Sequence, residues 1–85
     1  MRTRKEIETE IKRAEAFAKK YPFNMFGDDN IKKVELFKKV CEAFLAGKSL
    51  DALEDEADSD FVDDETASEM RATIDWLRGE GEHLW

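Results

Sequence analysis

The chain has 85 residues, 21 of them Asp or Glu against 14 Lys or Arg, for a net charge of −7, and 41% are apolar. That length allows one domain with a modest core, and the apolar share, with Phe17, Phe37, Phe44, Ile74 and Trp76 at core-compatible spacing, excludes wholesale disorder. The acidity argues against direct contact with nucleic acid or anionic membrane, both of which repel carboxylates.

The first helix is predicted from Arg4 to Tyr21. Thr3 followed by Glu6 has the form of a capping box. Ile7, Ile11, Ala14, Phe17, Ala18 and Tyr21 fall within about 120° of a helical wheel. On the opposite face Glu8–Lys12 and Glu15–Lys19 have i,i+4 spacing in the favourable orientation. Pro22 disfavours helical geometry at Tyr21 and ends the element. The connection that follows holds Phe23, Met25 and Phe26, which are expected to plug the open end of a bundle.

Asp28 or Asp29 can cap a second helix from Asn30 to Ala46. Its stripe of Ile31, Val34, Phe37, Cys41, Phe44 and Leu45, widened by Leu36 and Val40, suits a central helix contacted from two sides. Gly47 supplies a left-handed stop. Ser49 caps a short third helix, Leu50 to Ala57, with Leu50, Leu53 and Ala57 facing inward. A last helix begins at Asp63 or Asp64, whose carboxylates suit a helix N-terminus, and ends at Gly79. Its inward stripe is Ala67, Met70, Ile74 and Leu77. The expected fold is all-α: a small helical bundle of three longer helices plus one short helix, with helices one, two and four around a shared core. One helical domain spans residues 1–85, with residues 80–85 as a tail.

Little in the chain marks a reaction centre. One Cys and one His cannot supply the usual zinc ligand set. A calcium-loop template laid on Asp58 places Asp60 and Glu69 correctly. It fails at Val62, and at Asp63 where the turn needs glycine. Cys41 lies in an apolar helical run and reads as a small buried hydrophobe. His83 stands apart in the tail, and the four glycines are scattered rather than grouped as a phosphate cradle. The expectation is a protein without catalysis, cofactor or metal. No apolar stretch has the form of a secretory signal or membrane span, and the lone cysteine fits a reducing compartment, so a cytoplasmic location is expected.

Charge distribution is the strongest functional signal. Residues 1–50 carry twelve bases and eight acids, a net of +4, whereas residues 51–85 carry two bases and thirteen acids, a net of −11. Crowded like charge opposes compaction and creates a strong local potential. One reading is a solvated face, or pairing with Lys32, Lys33, Lys38, Lys39 and Lys48. The other is a patch presented to a basic protein surface, where attraction speeds encounter and selects partners. The candidate partner-binding residues are Asp55, Glu56, Asp58, Asp60, Asp63, Asp64, Glu65, Glu69 and Trp76.

Trp76 lies about 140° from the centre of the last helix's stripe. It either folds over an edge and is buried, or stands exposed as an interface anchor. The functional expectation is a non-catalytic interaction protein with an acidic face. Its concrete form is an inhibitor or decoy in the groove of a nucleic-acid-binding protein, in the manner of phage anti-CRISPR or other anti-defence proteins. The alternative is a structural or assembly subunit, for example a homodimer, joined through Trp76, Trp85 or the Phe23–Phe26 loop.

Overall fold

The computed structural model describes residues 1–23, 27 and 29–81. Four helices organise them: α1 (Arg4–Lys20), α2 (Asn30–Leu45), α3 (Leu50–Ala57) and α4 (Asp64–Leu77). No strand forms among the described residues, whose one extended pairing is an isolated bridge between Phe23 and Asp29. The protein is a small all-α bundle.

Each helix starts on a side-chain oxygen that accepts an otherwise orphaned backbone N–H. Thr3, Asp29, Ser49 and Asp63 take this role for the N–H groups of Glu6, Lys32, Ala52 and Thr66. At α1 the box is complete, because the Glu6 carboxylate accepts in return from the Thr3 N–H. Its second hydrogen-bonding role holds the Glu6 carboxyl below the ordinary carboxylate range, the Thr3 backbone N–H being the largest cause. At the far end of α2, Gly47 turns the chain with φ of +108°, and the Lys48 N–H returns to the Ala43 carbonyl at 3.1 Å.

Packing follows the order α1–α2–α4–α3, with a smaller contact between α2 and α3, in a molecule measuring 33 × 32 × 20 Å. The wide apolar stripe of α2 therefore serves two neighbours, α1 on one side and α4 on the other. One continuous core results, in which Ile7, Phe37, Cys41, Leu53, Ile74 and Leu77 are fully buried. Burial pushes the Cys41 thiol up to about 12, with the nearby Glu10 and Glu42 charges adding to the effect.

Several expectations need correction. Tyr21, Phe23 and Ile31 are 50%, 61% and 44% exposed rather than inward. Tyr21 caps α1 outside helical geometry, with φ of −128° and ψ of 76°. Phe23 is held in the extended bridge to Asp29, which leaves its side chain outside the bundle. Ile31 sits on the rim of a shallow groove between α1 and α2. Met25 and Phe26 lie outside the described residues, as do His83, Leu84 and Trp85.

The ion pairs on α1 also differ. Glu8 approaches Arg4 at 3.7 Å, and Glu15 reaches across to Lys38 on α2 at 3.8 Å. Glu10, which falls beside the apolar stripe, is buried with its carboxylate 2.9 Å from the Arg13 guanidinium.

Candidate partner-binding surface

The acidic surface is built from the outer face of α3, the turn after it and the first residues of α4. On α3, Leu53 and Ala57 point into the core, which leaves Asp51 and Asp55 on the opposite side of the wheel, exposed. Asp58 is the C-cap of α3. The connection is then fixed by three hydrogen bonds centred on Ser59. Its N–H donates to the Glu56 carbonyl at 3.2 Å, its hydroxyl accepts from the Phe61 N–H at 3.2 Å, and its carbonyl accepts from the Val62 N–H at 3.1 Å. Val62 packs against the core, and Phe61 is turned outward.

Asp63 caps α4, and its carboxylate accepts from the Thr66 N–H at 2.7 Å. That bond is the largest cause holding the Asp63 carboxyl below the usual carboxylate range; the Thr66 side chain and the Lys32 charge act in the same direction. Asp64 and Glu65 occupy the first turn of α4, where the helix dipole favours negative charge.

Apart from Asp63, the cap of α4, the candidate carboxylates divide into two sets. Glu56 pairs with Lys48, Asp58 pairs with Arg71, and Glu69 lies 3.9 Å from Lys33. Asp55, Asp60, Asp64 and Glu65 make no ion pair among the described residues, and all four are exposed. The two bases that lie within the acidic half, Arg71 and Arg78, are already engaged: they bridge α4 to Asp58 and Glu54 of α3. Their role as α3–α4 staples was missed in the sequence, where lysines of the basic half drew attention. The signal available was that Arg71 lies on α4 and Arg78 at its C-cap, with Glu54 on α3 and Asp58 at its C-cap as the acids that meet them.

Where the basic and acidic halves do meet, they form a groove of about 320 Å³ between α2 and the start of α4. Lys32, Lys33 and Lys39 face Asp63, Glu65 and Glu69 across it. Among the described residues no three His, Cys, Asp or Glu side chains converge closely enough to hold a metal ion.

Trp76 is not part of this surface. It is 5% exposed, and its ring meets Phe37 edge-on with centroids 5.5 Å apart and planes at 65°. On the other side the Arg2 guanidinium covers it, 4.9 Å from the ring centroid. The Ala67–Met70–Ile74–Leu77 stripe describes a helix with one neighbour. Because α4 packs on both α2 and α3, and the N-terminal segment folds over its end, its buried face widens to include Thr73 and Trp76.

The aromatic residue that does stand in the acidic surface is Phe61, 99% exposed between Asp60 and Asp63. In the sequence it looked unremarkable, one of two apolar residues in a charged stretch. Which of the two faces inward is decided by the Ser59 turn, and that is visible only in three dimensions.

No family model, curated protein or solved structure matches the chain, so the surface is interpreted from its own geometry. No helix among the described residues is long and apolar enough to cross a membrane.

Proposed function

We propose that the protein is a non-catalytic interaction protein that docks the α3–α4 acidic face onto a basic protein surface. Its form is that of an inhibitor or decoy occupying a nucleic-acid-binding groove, with carboxylates standing where phosphates would lie. The single observation that carries this reading is the unpaired set Asp55, Asp60, Asp64 and Glu65, displayed along one helix, its turn and the next helix. Exposed ion pairs contribute little stability, and these four make none among the described residues. A purely structural role gives no reason to concentrate so much mutual repulsion. A basic partner does, because long-range attraction accelerates encounter and rejects acidic competitors.

The test is retention from a bacterial lysate at low salt and at about 0.5 M, where screening acts over a few ångströms. The comparison is with the fourfold variant Asp55→Asn, Asp60→Asn, Asp64→Asn, Glu65→Gln. The expected result is a nucleic-acid-handling protein that is held by the wild type, released by salt and not captured by the variant. Capture that survives both changes disproves electrostatic docking.

A second reading, self-association as a structural subunit, is favoured by the exposed apolar residues around the α1–α2 connection. Tyr21, Phe23 and Ile31 lie at one end, tied together by the Asn30 side chain donating to the Tyr21 carbonyl at 2.8 Å and by the Phe23–Asp29 bridge. Sedimentation that stays dimeric at high salt and turns monomeric on Phe23→Ser would select this reading.

A further inference from the structure

We propose that Phe61 is the anchor of the acidic face, inserting its ring into an apolar recess bordered by basic side chains on the partner; the inference rests on the acidic-face reading above and names how that face gains affinity and selectivity. Isolated apolar side chains on a surface are ordinary. Phe61 differs in how it is displayed. Its ring is exposed over essentially its whole area. The backbone beneath it is fixed, because the Ser59 hydroxyl and carbonyl hold the N–H groups of Phe61 and Val62, and the partly buried Val62 packs against the core. The ring therefore projects from a braced turn, and little ordering remains to oppose binding.

Its surroundings define the occupant. Asp58, Asp60, Asp63 and Asp64 lie within three residues on either side, and Asp60 and Asp64 make no ion pair among the described residues. An apolar partner surface without charge would have to strip water from these carboxylates and leave them unpaired, which is costly. A second copy of this chain meeting it symmetrically would bring the two acid clusters together. A basic surface with an apolar recess satisfies both the ring and its rim. This is the usual division of labour in an interface, an aromatic centre contributing affinity and a charged border excluding wrong partners.

The test uses two synthetic probes of equal length and charge. One is a lysine–leucine peptide with leucines at helical spacing, and the other is its lysine–serine counterpart. Both are titrated at low salt into the full-length, nitrogen-15-labelled protein. The wild type is expected to bind the lysine–leucine peptide at least tenfold more tightly than the lysine–serine peptide, since a buried phenyl ring is worth that factor or more. Amide shifts should centre on residues 59–64. Phe61→Ser, with its helical circular dichroism unchanged, should bind the two peptides equally.

A preference for the leucine peptide that survives Phe61→Ser, or shifts centred on Tyr21, Phe23 and Ile31, overturns the anchor while leaving the acidic face intact. Equal binding of both peptides by the wild type does the same. Failure of both peptides to bind the wild type overturns the acidic-face reading and the anchor with it. Concentration-dependent dimerisation of the wild type that Phe61→Ser abolishes assigns the ring to a second copy and overturns the basic partner.

Discussion

Arg2 holds Trp76 from two directions at once. Its guanidinium stacks 4.9 Å from the indole centroid, and its Nε–H donates to the Trp76 carbonyl at 2.9 Å. The Arg2 backbone N–H also donates to the Leu77 carbonyl at 2.9 Å. The start of the chain is thus a strap over the last turn of α4, satisfying carbonyls that a helix C-terminus leaves open. Arg2→Ala should cost about 1–2 kcal/mol, from the lost cation–π contact and a hydrogen bond made by a charged donor. Urea denaturation measures it, and in a Trp85→Phe background the native Trp76 emission should shift to longer wavelength. An unchanged midpoint would contradict the strap.

Phe61 and Trp76 should respond oppositely to truncation. Phe61→Ser removes nothing from the core and should change stability by less than about 0.5 kcal/mol. Trp76→Ala empties a space between Phe37 and Arg2 and should cost about 3–5 kcal/mol. Thermal melts of the two variants side by side distinguish a displayed ring from a structural one.

Cys41 should be chemically silent in the native state. A thiol-disulfide reagent is expected to react with it only at the rate of unfolding, and addition of denaturant should release the reactivity. The same burial sets an alkaline limit. The folded thiol is raised from 9.0 to about 12, so its contribution is fully present below pH 9 and is lost as pH rises toward 12. Within that window the wild type should lose up to about 1.4 kcal/mol per pH unit relative to Cys41→Ala. Parallel pH–stability curves for the two proteins would refute the shift.

Asp63 gives the acid-side counterpart. Its folded carboxyl is lowered from 3.8, so it contributes stability above that value, and the contribution is lost as pH falls through the folded pKa. Asp63→Asn keeps a capping oxygen and removes the titration. The wild type should therefore be the more stable protein at neutral pH, and the difference should vanish in strong acid. A constant gap from pH 2 to pH 7 would show that charge at this cap is irrelevant.

Removing acids that lie away from a helix start should make the protein more stable. The Asp55→Asn, Asp60→Asn variant relieves like-charge repulsion and leaves Asp64 and Glu65 in the first turn of α4, so its melting temperature at low salt should rise. Added salt should stabilise the wild type and affect the variant much less. A variant that melts lower would mean these carboxylates have partners on the chain after all.

Helix starts were the most legible feature of the sequence, because capping is local: Thr3 and Ser49 sit beside the N–H groups they satisfy, and the start of α4 was narrowed to Asp63 or Asp64, of which Asp63 is the cap. The stripes of α1 and α2 were legible for the same reason, apart from Tyr21 and Ile31 at their ends, since periodicity reports which side of a helix leaves water. What periodicity cannot report is the number of neighbours. The face of α4 looked too narrow to take in Trp76 because its second partner, α3, and its cover, Arg2, arrive from elsewhere in the chain. The same limit explains Phe61, whose exposure depends on a three-residue hydrogen-bonded turn rather than on a repeat. Net charge was legible, but its pairing was not. Arg71 and Arg78 neutralise part of α3 across a helix interface, and only that interface separates the engaged carboxylates from the displayed ones.

The strap formed by Arg2 brings the two ends of the described chain into contact, with the Arg2 guanidinium 3.5 Å from the Gly81 carbonyl. Over residues 2–81 the backbone nearly closes on itself, and the direction in which it is threaded is not what builds the acidic face. Joining residue 1 to residue 81 through a short linker and opening the chain between Lys48 and Ser49 would place α3 and α4 first and α1 and α2 last. Every helix keeps its cap and its neighbour in such a permutant. The acidic face would then begin the polypeptide and could be displayed, shortened or fused with the rest of the bundle trailing as its support.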